Sequence, residues 1–344
     1  MMEGSRPSFG GGSSPPFGGP SMLAGQDRPP MMHGPPPMIY VLLPTLALAP
    51  FGLFGNINVI IATYRKKNLR SKCGILICLL AIYDTICITF EVSSAFMGFY
   101  NVWVDRQTCF KVIIIYFWMR IISSSALVGL ALDRLVSVTF PLRYKSDNFL
   151  MMLLVSVLPG LFLSIIFTIF GIIHWDEENY TTPVCVPNHI LPSWIQEVAD
   201  FTLLVINSSV IVIYLAGYMV LSVQKRRFVK DSHLHAILKS HQKAMKSMTV
   251  FLAVFCVSWF YSQVVMSLFS PHRVSNSRFF AIMLHLLPVG MMVSYSECYY
   301  VYFWTSVDYR AAFLEQLPCV KKWWKGKMVK TRVVTVAPHT TTKL

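Results

Sequence analysis

Seven long apolar runs recur along the chain, near residues 38–63, 73–98, 110–138, 149–173, 196–223, 247–270 and 279–304, with polar or basic breaks between them. Each is long enough to cross a bilayer as an α-helix, which takes about 20 apolar residues. Hydrocarbon offers no water to backbone N–H and C=O groups, so such a run must satisfy them within its own helix. The expected fold is an all-α membrane protein, a seven-transmembrane helix bundle with a short amphipathic eighth helix. Composition agrees, with 54% apolar and 13% charged residues among 344, against about 45–50% and about 25% for soluble domains. An ordinary soluble enzyme and a disordered chain are both excluded. On such a chain the net charge of +14 reports topology rather than nucleic-acid binding, and no nucleic-acid partner is expected.

Lys and Arg set the orientation. Arg65, Lys66, Lys67, Arg70 and Lys72 stand between the first two runs, and seven more basic residues stand between the fifth and sixth. One side collects 23 of the 30 basic residues and the other six, with Arg120 inside a span. Short basic loops stay cytoplasmic, so the expectation is a multi-pass plasma-membrane protein with its N-terminus extracellular. Cys109 and Cys185 then both fall on the oxidising side, where they form the natural disulfide pair. Asn179-Tyr180-Thr181 is a glycosylation acceptor in the same outer loop.

Outside the 38–304 membrane domain the chain changes character. Residues 1–37 include seventeen Gly or Pro, too little apolar surface to fold alone, and read as a disordered extracellular tail. They show no basic head or cleavage site of a signal peptide, so the first span is expected to act as its own insertion signal. Residues 305–318 read as a membrane-surface helix. Ser306 caps it, Asp308 opposes the dipole in its first turn, and Tyr309, Phe313 and Leu317 line one face. Residues 319–344 form a basic cytoplasmic tail. Cys319, next to Lys321, Lys322, Lys325 and Lys327, is placed for palmitoylation, with membrane lipids as partners.

Charged groups inside hydrocarbon cost at least ~2.5–3.5 kcal/mol each, so each needs a reason. Asp84, Glu91, Arg120 and Glu297 fall deep in the spans. Arg120 lies 11 residues inward of Cys109, about 16 Å by helical rise. Two readings stand open: a Glu91–Arg120 pair between the second and third spans, or Arg120 receiving an anionic group of a ligand. Glu297 reads by default as a buried hydrogen bond to a neighbouring span. The aromatics from Tyr295 to Trp304 read as interface belt and helix packing. His233 and His235 sit in a basic loop. No metal-ligand spacing, phosphate-cradling glycine loop or nucleophile–base set occurs, so no enzyme, catalytic residue, metal centre or cofactor is expected.

Several spacings coincide. Gly55-Asn56 lies mid-span one and Asp84 follows Asn56 by 28 positions; Cys109 precedes Arg134 by 25. Arg134 stands in Leu132-Asp133-Arg134-Leu135, Pro141-Leu142 follows, and Phe255 and Trp259 are one helical turn apart. Together with the stretches FGLFGNINVIIATYRKKNLRSKCGIL, LDRLVSVTFPLRY and CYYVYFWTSVDYRAAF, these make the chain resemble the rhodopsin-like G-protein-coupled receptors. More narrowly, it resembles the nematode serpentine chemoreceptors of the Srsx type, over about residues 40–317.

The resemblance implies roles. Asp133 and Arg134 match the family's acid–arginine switch, with Leu135 where a tyrosine is usual, and with Tyr302 they would serve G-protein coupling. Asp84 and Ser123 match positions that bind sodium in many relatives. Glu91, Tyr116, Arg120 and Trp259 fall where a ligand pocket would lie, Trp259 as its aromatic toggle. Cys298-Tyr299 stand where Asn-Pro is usual, a departure that bears on the sodium position and the kink of span seven. Met292 replaces the opsin lysine, and Tyr116 the aspartate that pairs with amines. The implied function is a chemosensory receptor that binds an extracellular small molecule or short peptide and activates a heterotrimeric G protein. The alternative is a secondary transporter, which more often shows internal repeats; none is visible.

Overall fold

A computed structural model of the chain describes residues 39–100, 102–140, 144, 149–175, 181–182, 185, 190–227, 247–259, 262 and 278–318. All of these belong to the unit Pro36–Leu344. The glycine- and proline-rich residues 1–37, Asn179, His233, His235 and Cys319 with the basic tail lie outside the described residues.

The helices follow the apolar runs. They are α1 (Ile39–Arg65), α2 (Lys72–Phe99), α3 (Arg106–Thr139), α4 (Phe149–Ile173), α5 (Ser193–Arg227), α6 (described over Ser247–Trp259), α7 (Arg278–Thr305) and the short α8 (Val307–Gln316). Five of them, α1 to α5, are long and apolar enough to cross a membrane, and α7 is 28 residues long. The fold is an all-α membrane bundle. Its one strand pair among the described residues, β1 (Val104–Asp105) with β2 (Thr181–Thr182), lies beside the Cys109–Cys185 disulfide. This is the disulfide end of the bundle.

Polar residues punctuate the apolar helices at their starts. Ser71 caps α2 by accepting from the Gly74 N–H at 3.2 Å, and Asp105 caps α3 by accepting from Thr108 at 2.8 Å. The Asp105 carboxyl titrates below the ordinary carboxylate range, because the Thr108 backbone N–H stabilises its charged form. Ser306 caps α8 as expected, with Asp308 in the first turn. Tyr309 and Phe313 of α8 are buried against α7, the Phe313 ring 4.5 Å from that of Tyr299.

Small residues set how closely α3 and α4 approach. A Cβ on Gly160 would lie 2.8 Å from Cα of Ile122, so only glycine fits without moving a backbone. Beside it, the Ser125 hydroxyl donates to the Ser156 carbonyl at 2.8 Å. The opposite face of α4 stays bare: Met151, Phe162 and Ile173 are exposed, as a lipid-facing surface requires. The aromatics of α7 divide in the same way. Tyr295, Tyr299, Tyr302 and Phe303 are buried and serve packing, while Trp304 is exposed.

The disulfide ties the start of α3 to the segment between α4 and α5. Ser94 of α2 holds that segment from below by donating to the Cys185 carbonyl at 2.6 Å. Arg106, buried at the head of α3, donates to the Ile190 carbonyl at 3.4 Å and to that of Trp175. Of the remaining cysteines, Cys87 and Cys298 are buried and Cys73, Cys78 and Cys256 half-buried, as small interior or lipid-facing side chains.

Candidate functional site

Two polar assemblies interrupt the apolar interior. The first lies in the half of the bundle toward the disulfide end. Glu91 of α2 accepts a short hydrogen bond from the Tyr116 hydroxyl of α3, and that hydroxyl is 3.3 Å from the Tyr295 hydroxyl of α7. Asn56 of α1 fixes α7 at the same level by donating to the Tyr295 carbonyl at 2.9 Å. Four helices are thus joined through one hydrogen-bonded line.

Arg120 takes a different partner from the one expected. Its guanidinium donates to Asp200 of α5 at 2.9 Å, and the other oxygen of Asp200 accepts from Gln196 at 2.9 Å. The Glu91–Arg120 pair between α2 and α3 is therefore corrected to an Arg120–Asp200 pair between α3 and α5. The physical reason is azimuth: Tyr116, one turn from Arg120 on α3, already occupies Glu91, which leaves the guanidinium to face α5. Asp200 and Gln196 sit near one end of an apolar run, where polar residues read as boundary groups, so their role was not visible in the sequence.

A cavity of about 40 Å³ lies below this pair. Arg120, Trp259 and Tyr295 line it, together with Asp84, Ser123 and Asn207. Trp259 stacks on Phe255 with ring centres 6.1 Å apart and forms part of the cavity wall. Asp84 and Ser123 meet in the wall of this cavity. A buried carboxylate, hydroxyl oxygens and room for about three waters by volume form an oxygen set of the kind a hard cation takes, so these residues fit a sodium ion. Glu297 of α7 is buried too, and neither of its carboxylate oxygens has a hydrogen-bond partner among the described residues. The expected hydrogen bond to a neighbouring span is thus not found for it there.

The second assembly lies at the opposite end. Arg134 donates to one oxygen of Asp133 from Nε at 3.0 Å and from its terminal nitrogen at 2.5 Å. The Tyr144 hydroxyl takes the other oxygen at 2.7 Å. Tyr144 is itself held by Lys72, which donates to its carbonyl at 2.8 Å and sits 4.5 Å from the ring centre. Burial first, and then the Asp133 charge, push the Tyr144 phenol well above its ordinary range, so it stays a donor. Tyr144 was missed because it lies in the short segment after α3, where no periodicity marks a functional position. Tyr302 is not hydrogen-bonded to this pair; its hydroxyl donates to Met248 Sδ of α6 at 3.2 Å. Tyr214 and Thr249 join α5 to α6 nearby, hydroxyl to hydroxyl, at 2.6 Å.

A helical bundle long enough to span a membrane, with a buried polar cluster toward one end and an Asp133–Arg134 pair at the other, defines an all-α membrane protein. The chain matches the family model of the serpentine type seven-transmembrane G-protein-coupled chemoreceptors Srsx over residues 49–317, and it belongs to that family. A search of curated proteins returns no match.

Proposed function

We propose that this chemoreceptor works in the plasma membrane with its N-terminus and disulfide end outside, binds an extracellular small molecule or short peptide, and activates a heterotrimeric G protein. The observation that carries the reading is the Asp133–Arg134–Tyr144 lock at the end opposite the disulfide. The basic count, 23 on that side against six on the other, supports the orientation.

The pocket is formed by Glu91, Tyr116, Arg120 and Trp259, with Asp200 now added. Arg120 presents a planar, permanently charged fork suited to a carboxylate or phosphate on the ligand. A ligand that draws Arg120 away from Asp200 changes how α3 and α5 are held together. Trp259, in the wall of the same cavity, passes that change to α6. Asp84 and Ser123 hold the sodium ion, which supplies a positive charge that stabilises the resting arrangement. At the far end Arg134 leaves Asp133, while Tyr302 and Met248 let α6 part from α7, which opens a surface for the G protein. The Asn179 glycan and the Cys319 palmitate belong to the same reading.

The decisive experiment is Arg134→Ala in full-length receptor at matched surface expression. Nucleotide exchange on the G protein should be lost while ligand binding persists. Normal exchange by that variant would remove coupling through this site and favour transport instead.

A further inference from the structure

A further cavity lies outside the bundle interior. It is a groove of about 660 Å³ on the outer face, between α3 and α4, lined by Phe110, Lys111, Ile115, Trp118, Ile172 and Trp175 among others. Its walls are almost wholly apolar, and Ile115 and Ile172 remain 54% exposed in it. In a membrane-spanning protein that surface faces lipid.

Polar groups are arranged along the groove with a direction. At its deep end Trp118 Nε1 donates to Thr168 Oγ1 at 2.8 Å, and Thr168 in turn donates to the Ser164 carbonyl at 2.7 Å, so nothing there asks for a polar ligand. At the shallow end stands Lys111, its ammonium 5.6 Å from the Trp175 ring centre. The Trp175 ring is braced edge-on against Phe110 at 5.3 Å. Among the described residues Lys111 makes no ion pair. Its partners are an aromatic face and the more distant Asp105 charge.

Depth follows from helix length. The 34 residues of α3 span about 51 Å by rise, against about 30 Å of hydrocarbon. About 10 Å therefore protrudes at each end if the helix is centred. Lys111, five residues from the helix start, lies about 7.5 Å along it and so at headgroup level. Trp118, seven residues further, lies about 10 Å deeper, within hydrocarbon.

We propose that this groove binds a long-chain fatty acid, carboxylate on Lys111 and alkyl chain running down between α3 and α4 toward Trp118. A cation at the headgroup boundary above an apolar slot complements an anionic head on one tail. The volume sits within the range of built small-molecule sites, and a slot between two adjacent helices is one chain wide. The groove is separate from the proposed ligand pocket, since Tyr116 and Arg120 are buried on the inward face of α3.

The test uses full-length receptor in phosphatidylcholine nanodiscs with a palmitate analogue bearing a mid-chain diazirine. Photolabel should map to the segments 110–118 and 168–175 and be competed by unlabelled palmitate. Lys111→Gln should cut labelling about tenfold, Lys111→Arg should restore it, and Ile115→Trp, which fills the slot, should abolish it. Each variant is first checked for an intact Cys109–Cys185 bridge and unchanged elution. Labelling spread over all lipid-facing helices, indifferent to Lys111→Gln and Ile115→Trp, would overturn the site. Equal competition by a two-chain anionic phospholipid would overturn its assignment to a fatty acid.

Discussion

Asp133 is held from both sides: Arg134 takes one carboxylate oxygen at 3.0 Å and the Tyr144 hydroxyl takes the other at 2.7 Å. The acid therefore has its lone pairs spoken for by a neighbour on its own helix and by a residue beyond that helix. Releasing Arg134 alone leaves Asp133 still anchored through Tyr144, so under the proposed switch Tyr144 shares in holding the resting state.

Tyr144→Phe removes the second anchor and keeps the ring over which Lys72 sits. A net hydrogen bond of this kind is worth ~1 kcal/mol at a half-buried site, or about fivefold in an equilibrium. Ligand-independent nucleotide exchange should rise by about that factor. Asp133→Asn, which removes the carboxylate charge that holds Arg134, should raise it further. If Tyr144→Phe left basal exchange at the wild-type level, Tyr144 would have no part in the lock.

The pH behaviour of Tyr144 gives an independent check. Its phenol is pushed up by burial and by the Asp133 charge. A proton held more tightly in the folded state contributes stability that is fully present below the unfolded tyrosine value of about 10 and is lost progressively as pH rises from there through the higher folded value. At pH about 10 a free tyrosine is half ionised, but Tyr144 should still be a phenol. Difference spectra between wild type and Tyr144→Phe should then show no phenolate signal from this residue. A phenolate appearing at the ordinary pH would mean that the bond to Asp133 does not form.

Packing of α3 on α4 rests on Gly160, whose added methyl would lie 2.8 Å from Ile122 Cα and Ser125 Cβ. Backbone cannot rotate away as a side chain can. Gly160→Ala should cost ~1–3 kcal/mol by overpacking, seen as a lower unfolding temperature in detergent. Phe162→Ala, on the exposed face of the same helix, should change that temperature far less. Equal effects would show that the two helices are not in close contact.

How much of this was legible in the sequence differs by level. Hydropathy set the helices to within a few residues, as with 73–98 against the observed Lys72–Phe99. It fell short on α5, expected over 196–223 and found over Ser193–Arg227. Polar end turns add no hydropathy, although they continue the same backbone hydrogen bonds. Asp133 with Arg134 was readable because adjacency in sequence guarantees proximity. The partner of Arg120 was not, since helical rise gives the depth of a residue but not which neighbour its face meets. Asp200 lies 80 positions away, and only the assembled bundle brings the two together.

Variants of the Arg120–Asp200 pair can separate the proposed ligand recognition from a purely structural role. Arg120 is nearly buried, with 10% of its side chain exposed, while Asp200 retains 28%. Removing the carboxylate takes an ion-pair partner from a buried guanidinium, and breaking a buried pair costs ~3–5 kcal/mol. Asp200→Ala should therefore lower surface expression more than Arg120→Ala, which leaves Asp200 its hydrogen bond from Gln196 and some solvent. The exchanged double variant, Arg120→Asp with Asp200→Arg, restores opposite charges across α3 and α5 and should recover expression toward wild type. It also moves the cation to another helix, away from Trp259. In a screen of carboxylate- and phosphate-bearing chemicals read by nucleotide exchange, the exchanged receptor should stay silent where the wild type responds. Recovery of both expression and response would make the pair purely structural and would remove Arg120 as the ligand's anchor.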